Sequence, residues 1–211
     1  MRTIICANSL EWLPAHRNQG AIITSLPDAA ELKLNLQDYK AWIQRAAREC
    51  LLSASENCPV IFLQSDRKCS GKWLSKVVLI CNLAEEMGWF LVWHKIELRR
   101  GVGKCDLFRP AYRHLLCFGS GTVTSGTSTP DVIDVSHAFY EMGCGIAAAE
   151  VAVKFCLQYT NKIIDPFCGR GTIPFVAENQ GAEVIGIDID EECAEASSTA
   201  SPIEREFSFN D

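Results

Sequence analysis

The pattern of apolar and polar positions switches between two periods along the chain. Short β-branched or continuously apolar runs, bounded by turn residues, fall at Thr3–Ala7, Ala21–Ser25, Pro59–Gln64, Trp89–Leu98, His114–Phe118, Lys162–Asp165 and Glu183–Asp188, and each reads as a strand. Segments of helical period separate most of them, at Leu36–Ser53, Lys72–Met87, Ile146–Tyr159, Ile173–Asn179 and Glu191–Ser197. The runs AIIT, VIFL and KIID show no alternation, as expected of parallel strands covered on both faces. The alternation of strands and helices predicts an α/β fold: a doubly wound, seven-stranded, mostly parallel sheet. No helix lies between Trp89–Leu98 and His114–Phe118, so these two are expected to pair antiparallel as a hairpin at one edge.

At 211 residues, 48% hydrophobic and 22% charged, the chain is long enough to bury a core and too apolar for a disordered class. One domain is expected over residues 1–200, with a Gly/Ser/Thr-rich flexible loop at 119–130 and a fraying tail at 201–211. No apolar run approaches the roughly 18 residues that cross a bilayer, so no membrane partner is expected. The opening MRTIICANSLEW has no long apolar stretch before a small-residue cleavage site and does not read as a signal peptide. Eleven cysteines are present, but no two lie closer than eight residues, so the close pair of a structural zinc site is missing and no metal is expected. Most sit in apolar stretches and read as buried free thiols of a reducing compartment, cytoplasmic or nuclear.

Charge is unevenly spread. Residues 66–114 carry ten Lys/Arg against five Asp/Glu, while the remainder carries ten against twenty-one. A basic face on an acidic protein points to an anionic partner such as nucleic acid; the other reading is a set of solvated helix positions.

The most specific local feature is Lys162-Ile-Ile-Asp-Pro-Phe-Cys-Gly-Arg-Gly-Thr172. A strand ends at Asp165, a turn with Gly169 and Gly171 follows, and a helix starts near Thr172. Glycines there let backbone approach a ligand, and the open N–H groups of the helix start favour its acceptor atoms. A second strand ends at Asp188, where an acid is placed to bind ribose hydroxyls. Asp-Pro-Phe-Cys-Gly-x-Gly-Thr joined to Gly-Ile-Asp-Ile-Asp resembles the S-adenosylmethionine site of class I methyltransferases. It is most similar to the nucleic-acid amino-methyltransferases, which commonly read D-P-F-x-G-x-G-T. The resemblance implies a Rossmann-like methyltransferase fold, with S-adenosyl-L-methionine held by Asp165, Phe167, Gly169, Gly171, Thr172 and Asp188.

The order of segments resembles the β-class, circularly permuted members of that group, in which the acceptor loop precedes the cofactor loop. All seven expected strands have a counterpart there. Thr3–Ala7 is then expected beside Glu183–Asp188, which brings Asn8 near the cofactor's adenine, where many relatives carry an acid. The acceptor loop of such enzymes reads Asp/Asn/Ser-Pro-Pro-aromatic: a polar residue and a carbonyl align an exocyclic amine, and the aromatic stacks on the flipped base. This chain has Ser25-Leu26-Pro27-Asp28. Ser25 keeps the first role, Leu26 replaces a proline, and Asp28 stands in the aromatic's place. The resemblance therefore implies Ser25, Pro27 and Asp28 at the acceptor. A carboxylate there suggests a proton acceptor for a target that needs base assistance; a helix cap or turn is the alternative.

Asp66 or Arg67 is expected to line the substrate cleft, with Lys68 and Lys72 toward phosphates; the alternative is an N-cap with solvated charges. Arg99, Arg100 and Lys104 flank a glycine turn and are candidates for nucleic-acid backbone contact. Trp93 and His94 read as core or edge positions of a strand, and Cys168 as a packed small residue. His137, Phe139 and Tyr140 correspond by resemblance to the stretch near the methionine part of the cofactor, where Phe139 or Tyr140 would face the sulfonium. Sequence-specific relatives insert a target-recognition region before the covering helix, and here that slot holds only about 15 residues. Specificity is therefore expected from substrate shape, a protein partner or a homodimer, which favours RNA over DNA. Two other functions fit the same residues: a catalytically silent subunit that binds RNA or stabilises an active partner, and a methyltransferase for protein or small molecules.

Overall fold

The computed structural model describes residues 1–69, 71–105, 107, 109–124, 129–136 and 143–200. His137, Phe139, Tyr140, the 201–211 tail and part of the 119–130 loop lie outside the described residues.

The chain runs β1 (Arg2–Cys6), α1 (Ser9–Ala15), β2 (Ala21–Thr24), α2 (Leu36–Ser53), β3 (Val60–Gln64), β4 (Arg67–Cys69), β5 (Lys72–Leu74), α3 (Lys76–Glu86), β6 (Phe90–Leu98), β7 (Tyr112–Gly119), β8 (Val132–Ile133), α4 (Ile146–Cys156), β9 (Lys162–Asp165), α5 (Thr172–Asn179), β10 (Glu183–Asp188) and α6 (Glu191–Thr199). The main sheet has the order β1-β10-β9-β2-β3-β7-β6-β8. From β1 to β3 every pairing is parallel, and β7 runs antiparallel to both β3 and β6. The first strand thus lies beside the last, with Cys6 opposite Asp188. The chain is an α/β protein with a mostly parallel sheet and an antiparallel hairpin.

Two details depart from the seven-stranded expectation. The two-residue strand β8 pairs with β6 and takes the edge position, so the hairpin is one strand in from the rim. Lys72–Leu74, read from the sequence as the first turn of a helix, instead forms a small separate hairpin with Arg67–Cys69. The helix starts four residues later, at Lys76, because the Ser75 hydroxyl accepts from Val78 N–H and caps it there. The short α1 escaped the periodicity because it has one buried stripe of Leu10 and Leu13 and carries Pro14. Its start signal is nevertheless in the sequence: Asn8 Oδ1 accepts from Leu10 N–H, and Asn8 Nδ2 donates to Glu11.

The continuously apolar strands are buried on both faces, β2 and β3 completely. One layer packs α4 and α5 against Ile23, Ile61, Leu63, Leu115 and Ile163. The other packs α1, α2 and α3 against Ile22, Val60, Phe62, Leu116 and Phe118. α6 packs on β1 and β10. Because β10, β9, β2 and β3 are parallel, their carboxyl ends, Asp188, Asp165, Thr24 and Gln64, lie along one rim, and the loops leaving them converge there.

The entry to β2 is tightly constrained. Gly20 has φ +150°, and a Cβ on it would lie 2.2 Å from the Lys162 carbonyl oxygen at the start of β9. Gly20→Ala is therefore expected to lower unfolding free energy by about 3 kcal/mol, from a strained backbone and a clash that only strand separation relieves. Urea titration of the variant against wild type checks this.

Candidate active site

The rim opens into a cavity of about 800 Å³. Of the residues singled out in the sequence, Asn8, Ser25, Pro27, Asp28, Asp165, Phe167, Gly169, Thr172 and Asp188 line it together.

Its donor half is built by the turn after β9. Gly169 (φ +50°) and Gly171 (φ +86°) take left-handed backbone, and Gly171 forms the N-cap of α5. A Cβ on Gly171 would meet Ser197 Oγ of α6 at 2.4 Å, so this glycine serves helix packing as well as the turn. Asp188 holds the turn from the neighbouring strand: its carboxylate accepts from Gly169 N–H at 2.8 Å and from Asp190 N–H at 2.9 Å. Ser9 donates from its hydroxyl to the Pro166 carbonyl, tying α1 to the same turn. Asn8 lines the cavity, and its side chain is engaged in capping α1.

Asp165 is 1% exposed. Thr24 Oγ1 donates to it at 2.7 Å and Phe167 N–H at 3.3 Å, and no cation is paired with it among the described residues. Burial, with a smaller push from Asp188, raises its carboxyl to a pKa of about 7 against the relief of those two hydrogen bonds. Thr172, in the same cavity, is 2% exposed. Its hydroxyl has no oxygen or nitrogen partner among the described residues, only the Cys144 thiol nearby. Cys168 lines the cavity as well; it is buried, and burial pushes its thiol up.

The acceptor half is the loop after β2. Leu26 is buried in the core, and Tyr39 Oη donates to the Pro27 carbonyl at 2.9 Å. The Asp28 carbonyl accepts from Glu31 N–H and Leu32 N–H and opens a turn. The Asp28 side chain, 6% exposed, meets Lys76 Nζ at 2.5 Å, Arg109 at 2.6 Å and Arg67 at 3.3 Å. Burial works to raise its pKa, but Lys76, Arg109 and Arg67 together outweigh it and hold the carboxylate below the ordinary range. A carboxylate held by three cations is a weak base, which weighs against the proton-acceptor reading of Asp28 and for the alternative, a residue that makes the turn.

The remaining expectations divide. Asp66 is a structural cap: its carboxylate accepts from Lys76 N–H at 2.8 Å, from Val77 N–H at 3.3 Å and from Trp73 Nε1. Arg67 reaches the acceptor loop through Asp28. Lys68 lies over the Trp73 ring, and together with Arg100 and Lys104 it lines a second, shallower cavity of about 350 Å³. Arg99 donates to the Pro110 carbonyl. Arg109 borders both cavities. Trp93 packs edge-on against Phe155, and His94 hydrogen-bonds to His114. No sequence signal marks Lys76 or Arg109, which sit in no motif. Trp42, whose ring meets Phe167 edge-on in the cavity, and Gln64 were also missed, although Gln64 stands out as the polar end of an apolar run.

Removing the Asp28 carboxylate strands the 2%-exposed Lys76 ammonium, whereas removing Lys76 leaves Asp28 two cations. Asp28→Ala is expected to cost about 3–5 kcal/mol and Lys76→Met clearly less, read by chemical denaturation. Because the folded pKa of Asp28 is depressed, its contribution is present above the ordinary carboxylate pKa and is lost as pH falls through the folded value. Asp28→Ala should therefore also flatten the acid limb of stability against pH.

Comparison with known proteins agrees with this geometry. Residues 140–199, a span that takes in α4, the glycine turn and α6, match the DNA methylase family. No curated protein matches the chain. Among solved structures, TTHA0409 of Thermus thermophilus, a candidate DNA modification methylase complexed with S-adenosyl-L-methionine, is 15% identical over 93% of this chain and 91% of its own, with a TM-score of 0.73. The M1.HpyAVI–SAM complex is 17% identical over 94% and 98%, with a TM-score of 0.68. The cytosine-N4-specific PvuII DNA methyltransferase is 15% identical over 96% and 87%, with a TM-score of 0.73. The chain has the class I methyltransferase fold, and its cavity occupies the carboxyl rim of that fold's sheet.

Proposed function

We propose that this chain is an S-adenosylmethionine-dependent methyltransferase that modifies an exocyclic amine of a nucleic-acid base. The observation that carries this reading is the meeting of the glycine turn with Asp165 and Asp188 and the Ser25–Asp28 loop in one cavity. The residues fit the cofactor. Thr172 offers a buried hydroxyl without an oxygen or nitrogen partner, and Asp165 is a buried carboxylate without a cation, suited to a positively charged ligand. Asp188, at the second strand's end, would hold the ribose, and Trp42 and Phe167 provide an aromatic wall. When bound, S-adenosylmethionine supplies an electrophilic methyl group to a nucleophilic nitrogen.

The chain's own residues orient that nitrogen. Ser25 lines the cavity on a loop held by Leu26 in the core, by Tyr39 and by the Asp28 cluster, which places it at the acceptor. The weak basicity of Asp28 favours an amine, which attacks through its lone pair and sheds its proton afterwards, over an imide or hydroxyl that must be deprotonated first. The match to the DNA methylase family and the cytosine-N4 specificity of the PvuII neighbour support the same class of acceptor. The preference for RNA rests on the short slot before α4. Two solved neighbours of similar length, TTHA0409 and the PvuII enzyme, are described as acting on DNA, so that slot does not itself favour RNA.

The test is transfer of labelled methyl from S-adenosylmethionine to RNA, DNA and protein offered side by side, with nucleoside mass spectrometry of the product. An amine-methylated adenine or cytosine is expected, with Ser25→Ala slower by about a hundredfold. Label in protein alone, or none in any polymer while the cofactor binds, overturns the reading.

A pH dependence follows from Asp165. Its folded pKa is raised to about 7, so its contribution to stability is full below the ordinary carboxylate pKa and is lost as pH rises through about 7. Without cofactor, Tm is expected to fall across that rise. Cofactor affinity is expected to increase over the same range, because the ionised carboxylate favours a cationic ligand. Asp165→Asn should flatten both profiles, measured by thermal denaturation and calorimetry.

A further inference from the structure

Gln64 closes β3 at the active rim, is 1% exposed and lines the large cavity together with Ser25 and Pro27. Neither its Oε1 nor its Nε2 has a hydrogen-bond partner among the described residues. A buried carboxamide without partners is unfavourable, and an apolar side chain of the same size would fill the position at no such cost. The neighbouring strand ends on this rim carry engaged polar groups: Thr24 donates to Asp165, and Asp188 holds Gly169. Gln64 therefore has hydrogen-bonding capacity that the described residues do not use.

Its place in the sheet says which ligand uses it. Asp188 and Asp165 stand on β10 and β9, the donor half; β2 carries the acceptor loop; β3 lies beyond β2, on the side away from the donor. The alternation along β3 places Gln64 on the same sheet face as Val60 and Phe62, the face covered by α2 and α3. Several charged groups near this end of the cavity are committed to one another: Asp28 to Lys76, Arg67 and Arg109, Glu31 to Arg109 at 4.0 Å, and Arg113 to Glu97 and the Gly143 carbonyl. A carboxamide presents an acceptor and donors side by side in one plane, which matches a base edge where an amine adjoins a ring nitrogen.

We propose that Gln64 reads the hydrogen-bonding edge of the acceptor base and so sets which base is modified; this rests on the function proposed above. It is a specificity residue for the acceptor and has no part in holding the cofactor.

The test compares wild type with Gln64→Met, which keeps the volume and removes the amide, and Gln64→Asn, which keeps the amide and shortens its reach. Four single-stranded oligonucleotides, each with a different base at the target position, are assayed for methyl transfer. Cofactor affinity is read by calorimetry and Tm by thermal denaturation. Gln64→Met is expected to lower kcat/KM on the preferred base by about tenfold or more and to narrow the spread among the four bases. Its cofactor affinity should stay within about twofold of wild type and its Tm should be equal or higher, the opposite of what loss of a structural hydrogen bond gives. Gln64→Asn is expected to fall between. Unchanged rate and base preference in Gln64→Met, or a loss of cofactor affinity or Tm that accounts for the lost rate in both variants, overturns the proposal and leaves the proposed function standing. Transfer by wild type to none of the oligonucleotides or polymers overturns the function itself, and the role of Gln64 with it.

Discussion

The arrangement of the active rim depends on one buried carboxylate. Asp28 joins four segments distant in sequence: its own loop after β2, the start of β4 through Arg67, the N-terminus of α3 through Lys76, and the stretch before β7 through Arg109. A carboxylate in a nearly dry site requires compensation, and each cation drawn to it brings its segment along. Asp66 does the same one step away by capping α3 from the β3–β4 connection, so the helix that presents Lys76 is held from both sides. The loop after β2 is thereby tied to three other segments of the chain.

The donor half rests on a different balance of charge. Asp165 and Asp188 are both acids, they stand on adjacent strands, and neither is matched by a cation among the described residues. Asp188 is stabilised by backbone N–H groups of the glycine turn and remains partly exposed, whereas Asp165 has only Thr24 and Phe167 and is driven toward neutrality at ordinary pH. The acceptor half is thus electrostatically complete and the donor half is not. That contrast supports the reading of the half around Asp165 and Asp188 as the place of a positively charged ligand.

Most of the fold was legible because its strands are short, apolar and regularly spaced with helices between them. Each of the seven expected strands lies within the main sheet, and the glycine turn was readable because its residues do local work: left-handed backbone at 169 and 171 is a demand on sequence. What stayed hidden depends on pairing at a distance. The two residues of β8 carry no period, and Lys72–Leu74 has a helical pattern that the cap at Ser75 overrides. Asp28 could be placed in the loop that lines the cavity but its ion pairs could not be read, because they are made with Lys76 and Arg109, 48 and 81 residues away, which no motif marks.

The basic asymmetry of residues 66–114 shows the same limit from the other side. Composition counts ten cations there, but Lys76, Lys95 and Arg113 are buried, and Arg67 and Arg109 are turned inward onto Asp28. Arg99 is half-buried against the Pro110 carbonyl, and Lys68, Lys72, Arg100 and Lys104 face solvent on the β4–β5 hairpin and the glycine turn after β6, all but Lys72 lining the second cavity. The solvent-facing cations of this segment are therefore four, on a chain of net charge −6. On the proposed function, discrimination among substrates then falls to short-range contacts within the large cavity, where a buried polar group either finds its partner or is left without one.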